Sequence, residues 1–155
     1  MDPLWLKYAH VLGAILIFGT GLGTAFHMWN AHLTGRPEVI AAVGRSTVLA
    51  DWLFTAPSVV LQPITGAFLA WSYGWSLWEP WIVWSLGLYA LAGACWLPVV
   101  WLQIEMKRMA AAAQRTGAPL PARYRRFAWC WFALGWPAFV AMFVILHLMI
   151  FKPSA

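Results

Sequence analysis

The sequence predicts an all-α protein that forms a four-helix transmembrane bundle. Of its 155 residues, 63% are hydrophobic and only 10% are charged, and the mean hydropathy is +0.70. Soluble domains carry about 45–50% apolar and about 25% charged residues. Five acidic and ten basic residues cannot cover a water-exposed surface, which excludes both a soluble globular fold and a disordered chain. We therefore expect residues 1–155 to form one integral membrane domain.

Four apolar stretches are long enough to cross a hydrocarbon core of about 30 Å, which takes about 20 helical residues. A barrel is excluded because the stretches do not alternate between apolar and polar residues. The first stretch is longer than the apolar region of a signal peptide, so we interpret it as a retained helix. The predicted helices cover about residues 4–29, 48–73, 81–116 and 122–151.

Each predicted helix has local evidence of its own. The first carries its polar side chains, from His10 to His27, on one face, and the second carries a polar stripe that begins at Asp51. The third continues past the membrane because charged residues alternate with alanine after Glu105, and it ends at Gly117. The fourth starts in a basic run that suits lipid headgroups.

Basic residues determine the predicted orientation. Eight of the ten Lys and Arg residues fall in the first and third loops, and positively charged loops stay in the cytoplasm. Both termini are then outside the cytoplasm, and short loops favour an up-down-up-down bundle. We expect a multi-pass protein of the bacterial inner membrane, with the lipid bilayer as its main partner. The net charge of +5 follows from the loop bias, so nucleic acid is not an expected partner.

Two histidines lie at similar depth in the predicted outer leaflet. An ionisable residue in a spanning helix is costly, faces the bundle interior and often marks function. His10 and His147 each lie about 6–9 Å inside their helix ends, at 1.5 Å per residue. Since the first and fourth helices are predicted neighbours, the two imidazoles can meet. Paired neutral imidazoles suit axial ligation of a b-type haem or a copper ion, so we predict His10 and His147 as metal ligands.

Three further residues complete the predicted cofactor site. Lys7, one turn before His10, provides the cation that a haem propionate needs at the outer interface. Gln62 and Tyr89 lie at similar or slightly greater depth and are predicted to line the pocket. The alternative is structural, because membrane histidines commonly make hydrogen bonds between helices and terminal lysines extend to the interface without any partner.

A second polar group lies near the predicted cytoplasmic face and comprises His27, His32, Arg45 and Asp51. Asp51, at the inner end of the second helix, can reach the inner end of the first. Pairing of Asp51 with His27 or Arg45 would fix the bundle, whereas a proton entry point is the functional alternative.

Several segments carry a resemblance to known families. They are Trp5–His10 with Gly13, Phe18–Gly23, Leu49–Trp52, Leu61–Gly66 and Ala92–Gln103. Over nearly the whole chain, this pattern resembles a family of predicted bacterial integral membrane proteins catalogued as a domain of unknown function. The Trp-x-Lys-x-x-His start of the first helix is similar to the oxygen-independent, haem-containing protoporphyrinogen oxidase and to the copper-resistance D proteins. The resemblance implies that His10 binds haem.

Three functional hypotheses follow. The first is a haem b-binding protein that serves as a small oxidoreductase or electron-transfer component and meets a redox partner. The second is a copper-binding or copper-transport protein that uses the same histidines. The third is a non-enzymatic subunit of a larger complex or a homo-oligomer, in which Gly19 and Gly23 support close helix contact.

Overall fold

The chain is helical apart from short connections in the computed structural model, which describes residues 3–153. The helices are α1 (Pro3–Thr34), α2 (Pro37–Ala50), α3 (Ala56–Ser72), α4 (Pro80–Thr116) and α5 (Ala122–Phe151), with a π-helical segment, Asp51–Thr55, between α2 and α3. Together α2, the π segment and α3 form one span, so the described residues contain four helices long and apolar enough to cross a membrane. The predicted all-α class with four spans is confirmed.

The second span begins well before its predicted start at residue 48, because α2 starts at Pro37. Proline is well tolerated in the first helical turn, where its missing N–H has no helical partner to lose. Glu38 and Arg45 lower the mean hydropathy of this stretch, so it was not predicted as part of the second span. Gly35, with φ of +63°, ends α1 in the left-handed conformation that glycine adopts without strain. The first loop is therefore only a tight turn.

Large apolar side chains cover the outside of the bundle. Trp71 and Trp78 are 80% and 85% exposed, and many Leu, Val, Ile and Phe side chains along all four spans are also exposed. Lipid tails are as apolar as these side chains, so a membrane protein needs no polar outer surface at this depth. The exposed surface thus fits the lipid bilayer that the composition predicts.

The helices pack in a defined order. α5 packs on α4, α2 packs on α4, and α1 packs on α2, the π segment and α3. Between α1 and α5, aromatic side chains make the contacts: the Phe18 ring lies edge-on to Phe139 and Phe143, and Trp29 stacks on Phe132. The first and last helices therefore meet through long side chains rather than through close backbones.

One end of the bundle, where Gly35 and Gly117 lie, is tightly packed, and we call it the packed end. Met28, Ile40 and Met106 are fully buried there. Small residues allow this approach, since a Cβ on Gly44 would lie 3.2 Å from the Cβ of Lys107. The packed end fixes α1, α2 and α4 relative to one another and leaves the middle of the bundle to hold polar groups and a cavity.

Candidate functional site

His10 forms a hydrogen bond across the interface of α1 and α3. Its Nδ1 lies 2.8 Å from the Thr65 hydroxyl oxygen. That hydroxyl has one proton, and it donates to the carbonyl of Leu61 at 2.8 Å in its own helix. With the Thr65 proton assigned to this carbonyl, Thr65 accepts from His10, and the imidazole proton is assigned to Nδ1. The other ring nitrogen, Nε2, then carries a free lone pair, as in a metal-binding histidine whose second nitrogen is held by a hydrogen bond.

Two glycines allow α1 and α3 to approach at this point. A Cβ on Gly66 would lie 3.2 Å from His10 Cε1, and one on Gly13 would lie 3.4 Å from Gln62 Oε1. Both values are at the short end of side-chain contacts, so the polar side chains occupy the space that the missing Cβ atoms leave. The Leu61–Gly66 segment therefore positions His10 in two ways: the Thr65 hydroxyl bonds to the imidazole, and Gly66 leaves room for the ring.

Gln62 is buried beside His10 and is only partly satisfied. Its Oε1 has no hydrogen-bond partner within residues 3–153. A buried acceptor without a partner costs about 1–3 kcal/mol. Such an atom often marks the place of a ligand or an ordered water. We call His10, Gln62 and Thr65 the histidine cluster.

His147 has a different environment from the one predicted. It is exposed on α5, and its ring packs on Phe151, with centroids 4.5 Å apart. In the part of the chain that the structure describes, no hydrogen bond or ring contact joins His147 to His10. Since α5 packs mainly on α4 and α1 packs mainly on α2 and α3, similar depth does not bring the two rings together. Lys7, one turn before His10, is exposed.

Tyr89 links α4 to α3 through a backbone carbonyl. Its hydroxyl donates to the Val59 carbonyl at 2.6 Å. Pro63 has no N–H, and in a helix that missing donor is the one that would bond to Val59. Tyr89 thus supplies the hydrogen bond that the proline removes. It also lines the central cavity described below.

Asp51 lies at the start of the π segment and is buried among neutral donors. Thr55 donates to its Oδ1 at 3.0 Å. The Gln103 amide is assigned the orientation in which its nitrogen and its oxygen each have a hydrogen-bond partner. Its nitrogen then donates to Asp51 Oδ2 at 2.8 Å, and its oxygen accepts from Trp131 Nε1 at 3.2 Å. Four residues, Asp51, Thr55, Gln103 and Trp131, therefore connect three spans, and we call them the aspartate cluster.

The π segment has a local cause in Pro57. A proline ring clashes with the carbonyl four residues earlier, which is that of Leu53 inside the segment. A widened turn relieves this clash, and the N–H of Ala56 bonds to the carbonyl of Asp51 instead. The bulge turns Asp51 and Thr55 into the bundle together, and both are buried.

The structure gives Asp51 different partners from the two considered from the sequence. Arg45 is exposed on α2, and His27 is exposed on α1, where its ring lies edge-on to Phe26. Arg45 therefore lies on an outer helix face and not in a loop beside Asp51. The neutral partners Thr55 and Gln103 take the place expected for a charged residue.

A cavity of about 520 Å³ lies between all four spans, and we call it the central cavity. The aspartate cluster lines one part of it, and apolar side chains form most of the remaining wall. Its lining on α1 begins at Ile17, one helical turn beyond Gly13, which lies beside Gln62 of the histidine cluster. The polar row along the π segment and α3 connects the two clusters, from Asp51 and Thr55 to Gln62 and Thr65.

A family model described as a predicted integral membrane protein, DUF2269, matches residues 4–153. The chain belongs to the DUF2269 family. No curated protein and no solved structure matches it. Membership in DUF2269 confirms the integral membrane class and the resemblance to a family without an assigned activity.

In this DUF2269 chain, the sequence predicted a polar stripe that begins at Asp51, but it did not predict the hydrogen bonds of Asp51 with Thr55 and Gln103. The spacing of four between Asp51 and Thr55 contained that information, since such residues are neighbours on a helix. The hydrogen bond between His32 and Tyr124 at the packed end was also not predicted from the sequence. Within residues 3–153, no group of three or more His, Cys, Asp or Glu side chains is arranged to hold a metal ion.

Proposed function

We propose that this DUF2269 chain is a haem b-binding protein of the bacterial inner membrane, with His10 as its axial ligand. The observation that carries the proposal is the hydrogen bond between His10 Nδ1 and Thr65. It holds the imidazole ring in place and leaves Nε2 as the free metal-binding nitrogen. A ligating histidine in a low-dielectric bundle is neutral, which avoids the cost of a buried charge.

The surroundings of His10 fit a bound group. Gln62 Oε1 is buried and lacks a partner within the described residues, so it can accept a hydrogen bond from a ligand or a water. Lys7 is exposed one turn away, where it can pair with a propionate. Tyr89 and the apolar wall of the central cavity lie deeper in the bundle. When bound, haem supplies one-electron redox chemistry, so the proposed role is that of an oxidoreductase or electron-transfer component.

His147 is part of this proposal only because its position in the sequence predicts the same membrane depth as that of His10. Its exposed position on α5 means that bis-histidine ligation requires either a second copy of the chain or a different packing of α5. Ligation by His10 alone needs no such change, because a single proximal histidine is a common form of haem attachment. The two forms are separable by mutation.

The test is the absorption spectrum of protein purified from haem-supplied cells. We expect a Soret band in the wild type and its loss in His10→Ala. His27→Ala is the matched control, since His27 is an exposed histidine on the same helix, and it should retain the band. Loss of the band in His147→Ala would add His147 as the second ligand, and retention would leave His10 as the ligand from this chain.

Metal content separates this proposal from its alternatives. Copper without a Soret band would contradict the haem proposal and support a copper-binding role through His10. If neither haem nor copper is present and both histidine variants behave like the wild type, the chain is a subunit of a larger complex or a homo-oligomer. Co-purification of a partner, or a dimer in detergent, would identify which.

A further inference from the structure

The central cavity contains one carboxyl group and a wall rich in aromatic rings. Ten of its lining residues are aromatic, and they come from α1, α4 and α5. Four of the ten are tryptophans: Trp29, Trp96, Trp131 and Trp136. Aromatic faces carry negative potential and attract cations, with Trp the strongest of them. The wall therefore suits a positively charged guest that is also apolar.

Asp51 has no cationic partner in this cavity. None of the described residues that line it is Lys, Arg or His. The salt bridges of the described chain lie elsewhere, between Arg36 and Glu38 and between Arg108 and Glu105. Each oxygen of the Asp51 side chain accepts a hydrogen bond from a neutral donor, Thr55 or Gln103. A charge in a spanning helix without a counter-charge is costly, and such residues mark ligand or ion paths.

We propose that the central cavity binds a lipophilic organic cation, whose charge is held by Asp51 and whose apolar body is held by the aromatic wall. The volume of about 520 Å³ lies within the range of small-molecule sites, about 300–1,000 Å³. The ligand class is a monovalent organic cation such as a quaternary ammonium or phosphonium. A neutral lipid or quinone would use the apolar wall and would leave the carboxylate without a counter-charge.

The first experiment measures binding of tetraphenylphosphonium to the purified full chain in a nonionic detergent by equilibrium dialysis. Tetraphenylborate has the same shape and the opposite charge, so it serves as the ligand control. We expect Asp51→Asn to weaken tetraphenylphosphonium binding at least about tenfold and not to weaken tetraphenylborate uptake. Glu38→Gln, which removes an exposed carboxylate outside the cavity, should bind like the wild type.

A second pair of variants tests the location without changing charge. Gly135 lines the cavity, and a Cβ there meets nothing within 4 Å, so the side chain of Gly135→Leu has room to start and reduces the cavity volume. Gly87 has the same open space and does not line the cavity, so Gly87→Leu is the matched control. We expect Gly135→Leu to abolish saturable binding and Gly87→Leu to retain it.

Several results would overturn the proposal. The first is that wild type and Asp51→Asn bind the phosphonium equally well. The second is that the wild type binds the borate and the phosphonium equally and saturably. The third is that Gly135→Leu binds the phosphonium as well as the wild type. If Asp51→Asn loses its helical circular dichroism, that variant fails as a test. In that case the proposal is tested by comparing the two ligands on the wild type and by comparing Gly135→Leu with Gly87→Leu. Absence of saturable phosphonium binding to the wild type would also end the proposal.

Discussion

The Tyr89 hydroxyl donates a hydrogen bond to the Val59 carbonyl, the acceptor that Pro63 leaves without a helical donor. Proline within a spanning helix is tolerated when a neighbouring helix satisfies the freed backbone group. Here the neighbour is α4, and the bond of 2.6 Å ties it to α3 beside the central cavity. The carbonyl that Pro63 leaves without a donor in α3 is therefore the group through which α4 is bonded to α3.

Tyr89→Phe should destabilise the bundle by about 1–3 kcal/mol, because it leaves the partly buried Val59 carbonyl without a donor. Tyr8→Phe is the control, since Tyr8 is 62% exposed near the start of α1. Reversible unfolding in mixed detergent micelles measures the difference. Equal stability of the two variants would show that water or another group satisfies Val59.

Trp131→Phe should also destabilise the protein by about 1–3 kcal/mol, because the Gln103 oxygen loses its donor inside the bundle. The smaller phenyl ring also leaves a cavity at this buried position, so the change reports on the indole N–H and on ring packing together. Trp129→Phe, at a position 60% exposed on the same helix, should have a smaller effect. An equal effect of the two substitutions in the same unfolding assay would contradict the aspartate cluster as described.

Gly66→Ala should disturb His10, because the added Cβ lies 3.2 Å from the imidazole Cε1 and the ring must move. Gly23→Ala meets nothing within 4 Å and should be neutral or stabilising by about 0.5–1 kcal/mol, as expected for removing a helical glycine. The imidazole NMR signals of His10 and the unfolding free energy measure both effects. An unchanged His10 signal in Gly66→Ala would contradict the close approach of α1 and α3.

Thr65→Val should weaken haem retention about 10–100-fold if the proposed ligation is right, since it removes the hydrogen bond that orients His10. Thr116→Val is matched in chemistry, and its hydroxyl bonds only to carbonyls of its own helix turn. Haem transfer to apomyoglobin, followed by absorbance, compares the two. Equal transfer rates would show that Thr65 does not orient a ligand.

Much of the architecture was predictable because it depends on composition along the chain. A spanning helix must be apolar over its whole length, and four such stretches were visible without any knowledge of contacts. α2 escaped prediction because Glu38 and Arg45 make its first turns look like a loop. Its pairing with α4 instead depends on Ile40, Ala41 and Gly44, which are buried.

The polar rows were also visible as spacings, which is why His10, Gln62 and Asp51 stood out before any contact was known. Spacing shows which residues share a helix face, but it does not show which helix that face meets. His147 illustrates the limit: its depth matched that of His10, yet α5 packs mainly on α4 and presents this histidine at an exposed position.

Hydropathy and periodicity alone thus decided the membrane class, the number of spans and the candidate polar residues, since these properties are local along each helix. Helix packing decided the partners: Thr65 for His10, Gln103 for Asp51 and the Val59 carbonyl for Tyr89. The physical reason is that an apolar span gives no preference among apolar neighbours. Small residues and buried hydrogen bonds select the pairing, and these act only once the helices are in contact.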